Sequence, residues 1–396
     1  MPGLQILGRR ERALVAAADA LLRPLAWFRG RPAAGPVRRI LLLRLERIGD
    51  LLMTLDAIAL VRSTWPDAQV DLAVGSWNAD LARLIPGLNT VHTLDVPWLA
   101  REGSGQSWPE LTRRARAWKT HRYDLVVNFE PDIRSNILAW LSGARRRAGY
   151  WTGGGGALLT EPAAFDPAGH VGMNAERLVH LAAGRSEWPP AAPLRAGPRV
   201  QVPESARTRA RALTAGLRRP FIGVHVSGGR ESKQWHLDRF AAVARQLAHD
   251  RDASIVLTGS TADRPMVAKV SGQLGGIRVV NTAGSLEVVE LAALIETLDV
   301  FVTSDTGPMH LASAVGTPVV ALFGPADPRR YGPRAANERI LRVDLPCSPC
   351  GQVRLPPLRC RGHVPDCMDG IGVAAVVAAA SELIDRLPQP MRTGAR

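Results

Sequence analysis

Three stretches of the chain carry side chains whose types and spacing suit chemistry on a phosphorylated ligand. One is Ser304-Asp305-Thr306-Gly307-Pro308-Met309-His310-Leu311-Ala312. The apolar run Asp299–Thr303 before it reads as a buried strand, and Met309–Val315 reads as a helix stopped by Gly316 and Pro318. Ser304, Asp305 and Thr306 can cap that helix, Gly307 bends freely, and Pro308 suits the first helical position. A helix start of this kind offers N–H groups and a positive dipole end to an anion. His310, in the first turn, adds a proton or a hydrogen bond. The same residues would also make an ordinary capped helix.

The second stretch is Ser227-Gly228-Gly229-Arg230-Glu231-Ser232-Lys233-Gln234-Trp235, after the apolar strand Phe221–Val226. Its serine and glycines can present N–H groups to phosphate, and Lys233 is a mobile point charge. The Gly-Lys-Ser/Thr ending of a P-loop is missing, as is a Gly-x-Gly-x-x-Gly after a first strand, which disfavours a Walker ATPase and an NAD enzyme. Two anion-suited loops in one domain point to a diphosphate. The third stretch is Glu46-Arg47-Ile48-Gly49-Asp50, between the strand Arg39–Leu45 and a helix over Leu51–Thr64. A carboxylate at Asp50 is favoured by the helix dipole and can serve as a general base, although a helix cap is its plainer use. Asp250-Arg251-Asp252 spells a metal-binding Asp-x-Asp but falls between a helix and a strand, and reads as a solvated turn.

The elements that must position these residues alternate. Strands are expected over 69–75, 91–96, 123–129, 253–259, 277–281 and 318–324, with helices over 78–85, 108–120, 132–141, 174–183, 237–249, 263–274, 286–298 and 371–387. Such alternation implies mostly parallel sheets covered on both faces, with ligands at the carboxyl ends of strands. Gly153–Gly156 reads as a flexible loop. The proline-rich stretch Gly184–Pro198 is the best boundary between domains. The chain therefore divides into an N-terminal basic and apolar extension (1–36), a first Rossmann-like domain (37–190), a second (199–345), a cysteine-containing loop (346–370), and a closing helix with its tail (371–396). In the extension, Ala13–Phe28 is apolar between arginines, and Trp27-Phe28-Arg29 lacks the small residues of a signal cleavage site. A basic amphipathic helix on an anionic membrane fits, as does a helix packed on the body.

The motifs resemble those of the bacterial family 9 glycosyltransferases, best known for ADP-heptose:lipopolysaccharide heptosyltransferases. The likeness spans roughly 38–385. It rests on Arg44-Leu45-Glu46-Arg47-Ile48-Gly49-Asp50, on Ser227-Gly228-Gly229 with Lys233-Gln234-Trp235, on Thr258-Gly259-Ser260, and on Ser304–Ala312 with Gly316-Thr317-Pro318 and Leu322–Pro328. It implies an α/β glycosyltransferase-B fold, two Rossmann-like domains with a cleft between them. The nucleotide-sugar donor, ADP-heptose in the best-known case, would bind the second domain and a glycolipid acceptor the first. It further implies that Asp50 is the base and that Lys233 contacts the donor diphosphate. Asp305, Thr306, Gly307 and His310, together with Ser227 and Gly228, would hold phosphates and sugar, with Asp263 near the nucleoside. Transfer would invert the anomeric centre and require no cofactor, at the inner face of the cytoplasmic membrane. Asp56 stands where the family usually has proline. A sugar-nucleotide epimerase on the same fold, a relative using another nucleotide-sugar, and a silent nucleotide-sugar-binding scaffold are the alternatives.

All four cysteines, Cys347, Cys350, Cys360 and Cys367, fall in one segment. A Cys-x-x-Cys with two further cysteines suits a structural zinc site, with His363 as a competing ligand and reduced thiols as the other reading. The formal charge of +14 over 396 residues suits an acidic partner such as a nucleotide substrate or an anionic membrane. No interleaved aromatic and basic pattern accompanies that charge, so nucleic acid is not expected as a partner.

Overall fold

In the computed structural model, residues 8–22, 35–99, 105–185 and 197–387 are described, with the single positions 4 and 24. The expected domain boundary and the second half of the apolar N-terminal stretch lie largely outside these residues. The chain forms two compact units, Met1–Ala192 and Pro193–Arg396.

In the first unit, β1 (Arg39–Leu43), β2 (Gln69–Val74), β3 (Thr90–Thr93), β4 (Leu125–Asn128), β5 (Arg146–Tyr150) and β6 (Glu161–Ala163) make one parallel sheet in the order β3-β2-β1-β4-β5-β6. Ile40, Leu41, Leu42 and Leu43 are all fully buried. That burial of consecutive residues requires cover on both faces, which an all-parallel sheet receives from its crossover helices. The helices are α1 (Arg9–Leu22), α2 (Ile48–Met53), α3 (Leu55–Thr64), α4 (Ala79–Ala82), α5 (Trp108–Ala117), α6 (Ile133–Leu141) and α7 (Val171–Ala182). The second unit repeats the plan. Its strands β7 (Phe221–His225), β8 (Ser254–Thr258), β9 (Val279–Asn281), β10 (Val300–Ser304), β11 (Val319–Leu322) and β12 (Glu338–Leu341) run β12-β11-β10-β7-β8-β9, all parallel. They are covered by α8 (Glu204–Thr214), α9 (Leu237–Arg251), α10 (Arg264–Gly272), α11 (Val288–Glu296), α12 (Gly307–Val315), α13 (Pro328–Tyr331), α14 (Asp366–Asp369) and α15 (Val373–Asp385).

Two details depart from the sequence expectation. The helix expected over Leu51–Thr64 begins at Ile48 and breaks at Thr54, whose hydroxyl donates to the Asp50 carbonyl at 2.7 Å. Such back-bonding to the preceding turn bends helices. The glycine run is no flexible loop. A Cβ on Gly153 would stand 2.0 Å from the Pro131 carbonyl oxygen, and Gly154 and Gly155 have φ of 92° and 72°, so the turn is packed against the start of α6. Helix α1 docks there, with Val15 against Gly154 and the Asp19 carboxylate accepting from the Gly155 N–H. Helix α15 packs on α9 and on β10, β11 and β12 of its own unit.

Candidate active site

In each sheet the order reverses between two neighbouring strands, β1 and β4 in the first unit and β7 and β10 in the second. Loops leaving the carboxyl ends of such a pair diverge to opposite faces and open a crevice for a ligand. The residues singled out by their chemistry lie at these two places.

In the second unit the loop after β7 turns tightly. The Gly228 N–H donates to Gln234 Oε1 at 2.8 Å, and the Gln234 amide donates back to the Val226 carbonyl at 2.7 Å. A Cβ on Gly228 would stand 2.6 Å from Lys233 backbone atoms, so only glycine fits. The turn aims Lys233 at the loop after β10, where its ammonium donates to the Asp305 carbonyl and lies 3.3 Å from the Asp305 carboxylate. Both residues are largely buried, with side-chain exposures of 17% and 11%. Thr306 begins α12 with extended backbone (φ −143°) and no side-chain cap, and its hydroxyl meets Thr303 Oγ1 at 3.1 Å. The first N–H groups of this nine-residue helix, from Gly307 on, are thus left without a cap from Thr306, and His310 is buried in its first turn. Ser227 is buried and accepts from the Gly229 N–H at 3.2 Å.

Asp263, after β8, joins the same group. Burial works against its charge, but hydrogen bonds from Ser260 and Ser227 hold its carboxyl below the usual range. His225, the last residue of β7, is buried against Thr258 at 3.1 Å, and desolvation pushes its pKa down to about 4. The structure therefore brings Ser227, Gly228, Lys233, Asp263 and Asp305 together, with Thr306, Gly307 and His310 following directly.

In the first unit Asp50 lies in the first turn of α2, its carboxylate accepting from the Arg47 N–H at 3.3 Å. Two neighbours were given no role by the sequence reading, Arg44, which entered only as a motif residue, and Glu130. The Arg44 side chain is only 2% exposed. It donates to the Asp50 and Phe129 carbonyls at 3.1 and 2.8 Å, pairs with Glu46 at 2.8 Å and faces the Asp50 carboxylate at 3.7 Å. Glu130, just past β4, is buried and accepts from the Leu45 N–H. Burial and the Glu46 carboxylate push Glu130 up, against the opposing pull of Arg44. Both residues follow the apolar run of a switch-point strand, and that position is the signal that could have found them.

The cysteine segment supports the Lys233 loop. Ser232 donates to the Val353 carbonyl at 3.0 Å and the Gly362 N–H donates to Glu231 at 3.0 Å, while just past the segment the Ile371 carbonyl accepts from buried Trp235 at 3.2 Å. Cys347 and Cys350 are exposed, Cys360 is half-buried and Cys367 is buried. Burial and the neighbouring cysteines push the Cys367 thiol up to about 11. Among the described residues no three of these sulfurs lie within 4.8 Å of one another, so the thiols do not converge as the ligands of one ion would. Asp250-Arg251-Asp252 is not a free turn: Asp250 and Arg251 end α9, Arg251 pairs with Asp385, and Asp252 is the left-handed C-cap paired to Arg218 and Arg278.

The sequence profile of Glycosyltransferase family 9 (heptosyltransferase) matches residues 111–356, well over half of the chain. The chain belongs to glycosyltransferase family 9. It is therefore a glycosyltransferase, and the two sheets are the two halves of a glycosyltransferase-B fold. Lipopolysaccharide heptosyltransferase 2 of Escherichia coli K12 is 25% identical over 315 residues, covering 77% of this chain and 88% of that protein. The crystal structure of the family 9 glycosyl transferase from Veillonella parvula has a TM-score of 0.73 at 21% identity, covering 89% of this chain and 98% of its own. E. coli ADP-heptose lps heptosyltransferase II has a TM-score of 0.71 at 20% identity, covering 88% and 99%.

Proposed function

We propose that this family 9 enzyme transfers heptose from ADP-heptose to a lipopolysaccharide-type acceptor, inverting the anomeric centre without a catalytic metal. The observation that carries this reading is the Lys233–Asp305 contact, which joins the two switch-point loops beside the N-terminus of α12. A cation next to backbone N–H groups is the arrangement a departing diphosphate needs as its negative charge grows. The names of the similar proteins supply the donor and the acceptor class.

The second unit then binds the donor. Lys233 and the Gly307–His310 turn hold the phosphates, Ser227 and Gly228 line the diphosphate, and Asp263 lies toward the nucleoside. The first unit binds the acceptor. An acceptor hydroxyl oxygen attacks the anomeric carbon from the face opposite the leaving group, and the carbon–oxygen bond to ADP breaks. The bonding pair leaves with ADP, and Asp50 takes the hydroxyl proton. Arg44 and the Arg47 N–H keep that carboxylate in place. General-base help of this kind is worth about 10²–10⁴-fold.

One further part of the reading has its own support. In α1, Leu14 and Leu21 are 72% and 82% exposed while Val15 and Asp19 face the protein. With exposed Arg10 and Arg12, that outer face suits an anionic membrane at the cytoplasmic side. No helix among the described residues is long and apolar enough to cross a membrane. The spread of Cys347, Cys350, Cys360 and Cys367 leaves the zinc reading without support, and the Gln352 N–H on Cys350 Sγ at 3.4 Å is a turn contact within the loop.

The test is thermal shift of the purified protein with ADP-heptose and with UDP-, GDP- and dTDP-sugars, each with and without EDTA, followed by product analysis. A donor at 100 times its Kd adds about 2.7 kcal/mol. ADP-heptose alone should stabilise the wild type, Lys233→Ala should lose the effect, and transfer should survive EDTA. A larger shift with another nucleotide-sugar would remove the heptose assignment. Product formed from nucleotide-sugar without acceptor would mark an epimerase.

A further inference from the structure

A second cluster lies in the first unit, toward the N-terminal ends of the strands and away from Asp50. Asp71 on β2, His92 on β3 and His121 before β4 each offer one ligand atom, and these atoms lie within 4.8 Å of one another. His92 Nε2 is 3.6 Å from Asp71 Oδ2. A tetrahedral ion with bonds of about 2.0–2.2 Å sets its ligand atoms about 3.3–3.5 Å apart, so this pair already has the span of one coordination edge.

Part of the cluster is a self-contained hydrogen-bond network. Tyr123 donates to Asp71 Oδ2 at 2.6 Å, and its oxygen lies 3.0 Å from His92 Nε2. That network does not account for His121. Its ring makes no hydrogen bond to the described residues, yet it is held firmly. It stacks on Tyr123 at 5.4 Å and 9°, meets the His92 ring edge-on at 5.3 Å, and Arg39 donates to its carbonyl at 2.9 Å. Asp124 accepts from the Arg38 and Arg39 N–H groups at 2.9 and 3.0 Å and fixes the same turn. Trp118, almost fully buried, covers the His92 ring at 6.0 Å. A spare imidazole is thus locked facing a second imidazole and a carboxylate.

We propose that Asp71, His92 and His121 bind a divalent first-row transition cation, with Tyr123 as hydrogen-bond donor to the Asp71 carboxylate. Two imidazoles and one carboxylate are a donor set suited to zinc, iron, cobalt or nickel. A phenol on the carboxylate is the kind of outer partner that orients a ligating group. The ion clamps β2, β3 and the α5–β4 connection together, far from the reacting groups in the sheet, and so acts on stability.

The experiment is Co2+ titration of the full-length protein, followed by absorption and by melting temperature. Cys347→Ser/Cys350→Ser removes soft ligands elsewhere and leaves this site intact. His121→Gln keeps size and polarity at a half-exposed position, and its melting temperature without metal should match the wild type. In the cysteine variant, Co2+ should bind with nitrogen and oxygen ligation and raise the melting temperature. With His121→Gln added, that binding should weaken about tenfold or more and the stabilisation should vanish. Tyr123→Phe should keep the ligation spectrum and bind more weakly. Equal Co2+ binding with and without His121, or no binding in the cysteine variant, overturns the proposal.

Discussion

Gly228→Ala tests whether backbone packing aims Lys233. The new Cβ would stand 2.6 Å from the Lys233 carbonyl carbon and oxygen and 2.7 Å from the Gln234 nitrogen. Ordinary contact begins at 3.4 Å, so the methyl group overlaps backbone by about 0.8 Å. Backbone cannot rotate away as a side-chain tip can, so the turn from Gly228 to Gln234 must open. Overpacking of this kind costs about 1–3 kcal/mol. For a unit of this size each kcal/mol lowers the melting temperature by about 2–4 °C. The loop carries Lys233 away from Asp305 and from an incoming diphosphate. A charged hydrogen bond is worth about 1.5–3 kcal/mol, so affinity for ADP should fall about 10- to 150-fold by calorimetric titration. Gly229→Ala is the control. Its Cβ meets nothing within 4 Å, but φ is +66°, so it should cost stability alone. If Gly228→Ala melts early yet binds ADP like the wild type, or if Gly229→Ala loses affinity equally, the turn does not position the lysine.

Asp50→Asn should lower kcat about 10²–10⁴-fold while leaving ADP binding unchanged, checked by initial rates and titration. Arg44→Met should cost about 3–5 kcal/mol in urea unfolding, because Glu46, Asp50 and Glu130 lose their buried counter-charge; Arg44→Lys should rescue only part of it. His225 gives a pH dependence. Its folded pKa of about 4 lies below the ordinary 6.5, so the unfolded chain takes up a proton that the native state refuses. Stability is complete above pH ~6.5 and falls by up to about 3 kcal/mol as pH drops toward 4. His225→Leu should flatten that limb of a melting-temperature profile, and an unchanged slope would point to another group.

Patterning made most elements legible. Apolar runs such as Ile40–Leu43 and Val300–Val302 are fully buried strands, and the order strand, turn, helix placed Lys233 and Asp305 at strand ends. What was missed had its signal carried by something other than hydropathy. β5 opens with Arg146 and Arg147, yet Arg146 is neutralised sideways by Glu161 on β6 at 2.6 Å, a pairing between strands fifteen residues apart. β6 contains Pro162, which an edge strand tolerates. α8 is rich in arginine and buries only the small face Ala206, Ala210 and Thr214 against α11. Asp71, His92 and His121 are joined by sheet register and a helix exit rather than by spacing, so no linear motif announces them.

The Lys233–Asp305 pair sets a threshold for whatever binds beside it. An ammonium already held by a tethered carboxylate is not an open anion trap, because every incoming anion must compete with a resident counter-ion that never diffuses away. A singly charged ion replaces one carboxylate with its equal and loses translational freedom as well. A diphosphate brings more charge and spans to the backbone N–H groups of the helix start, so it can win the exchange. Under the proposed function, release of ADP would let the Lys233–Asp305 pair re-form, which favours turnover over product retention.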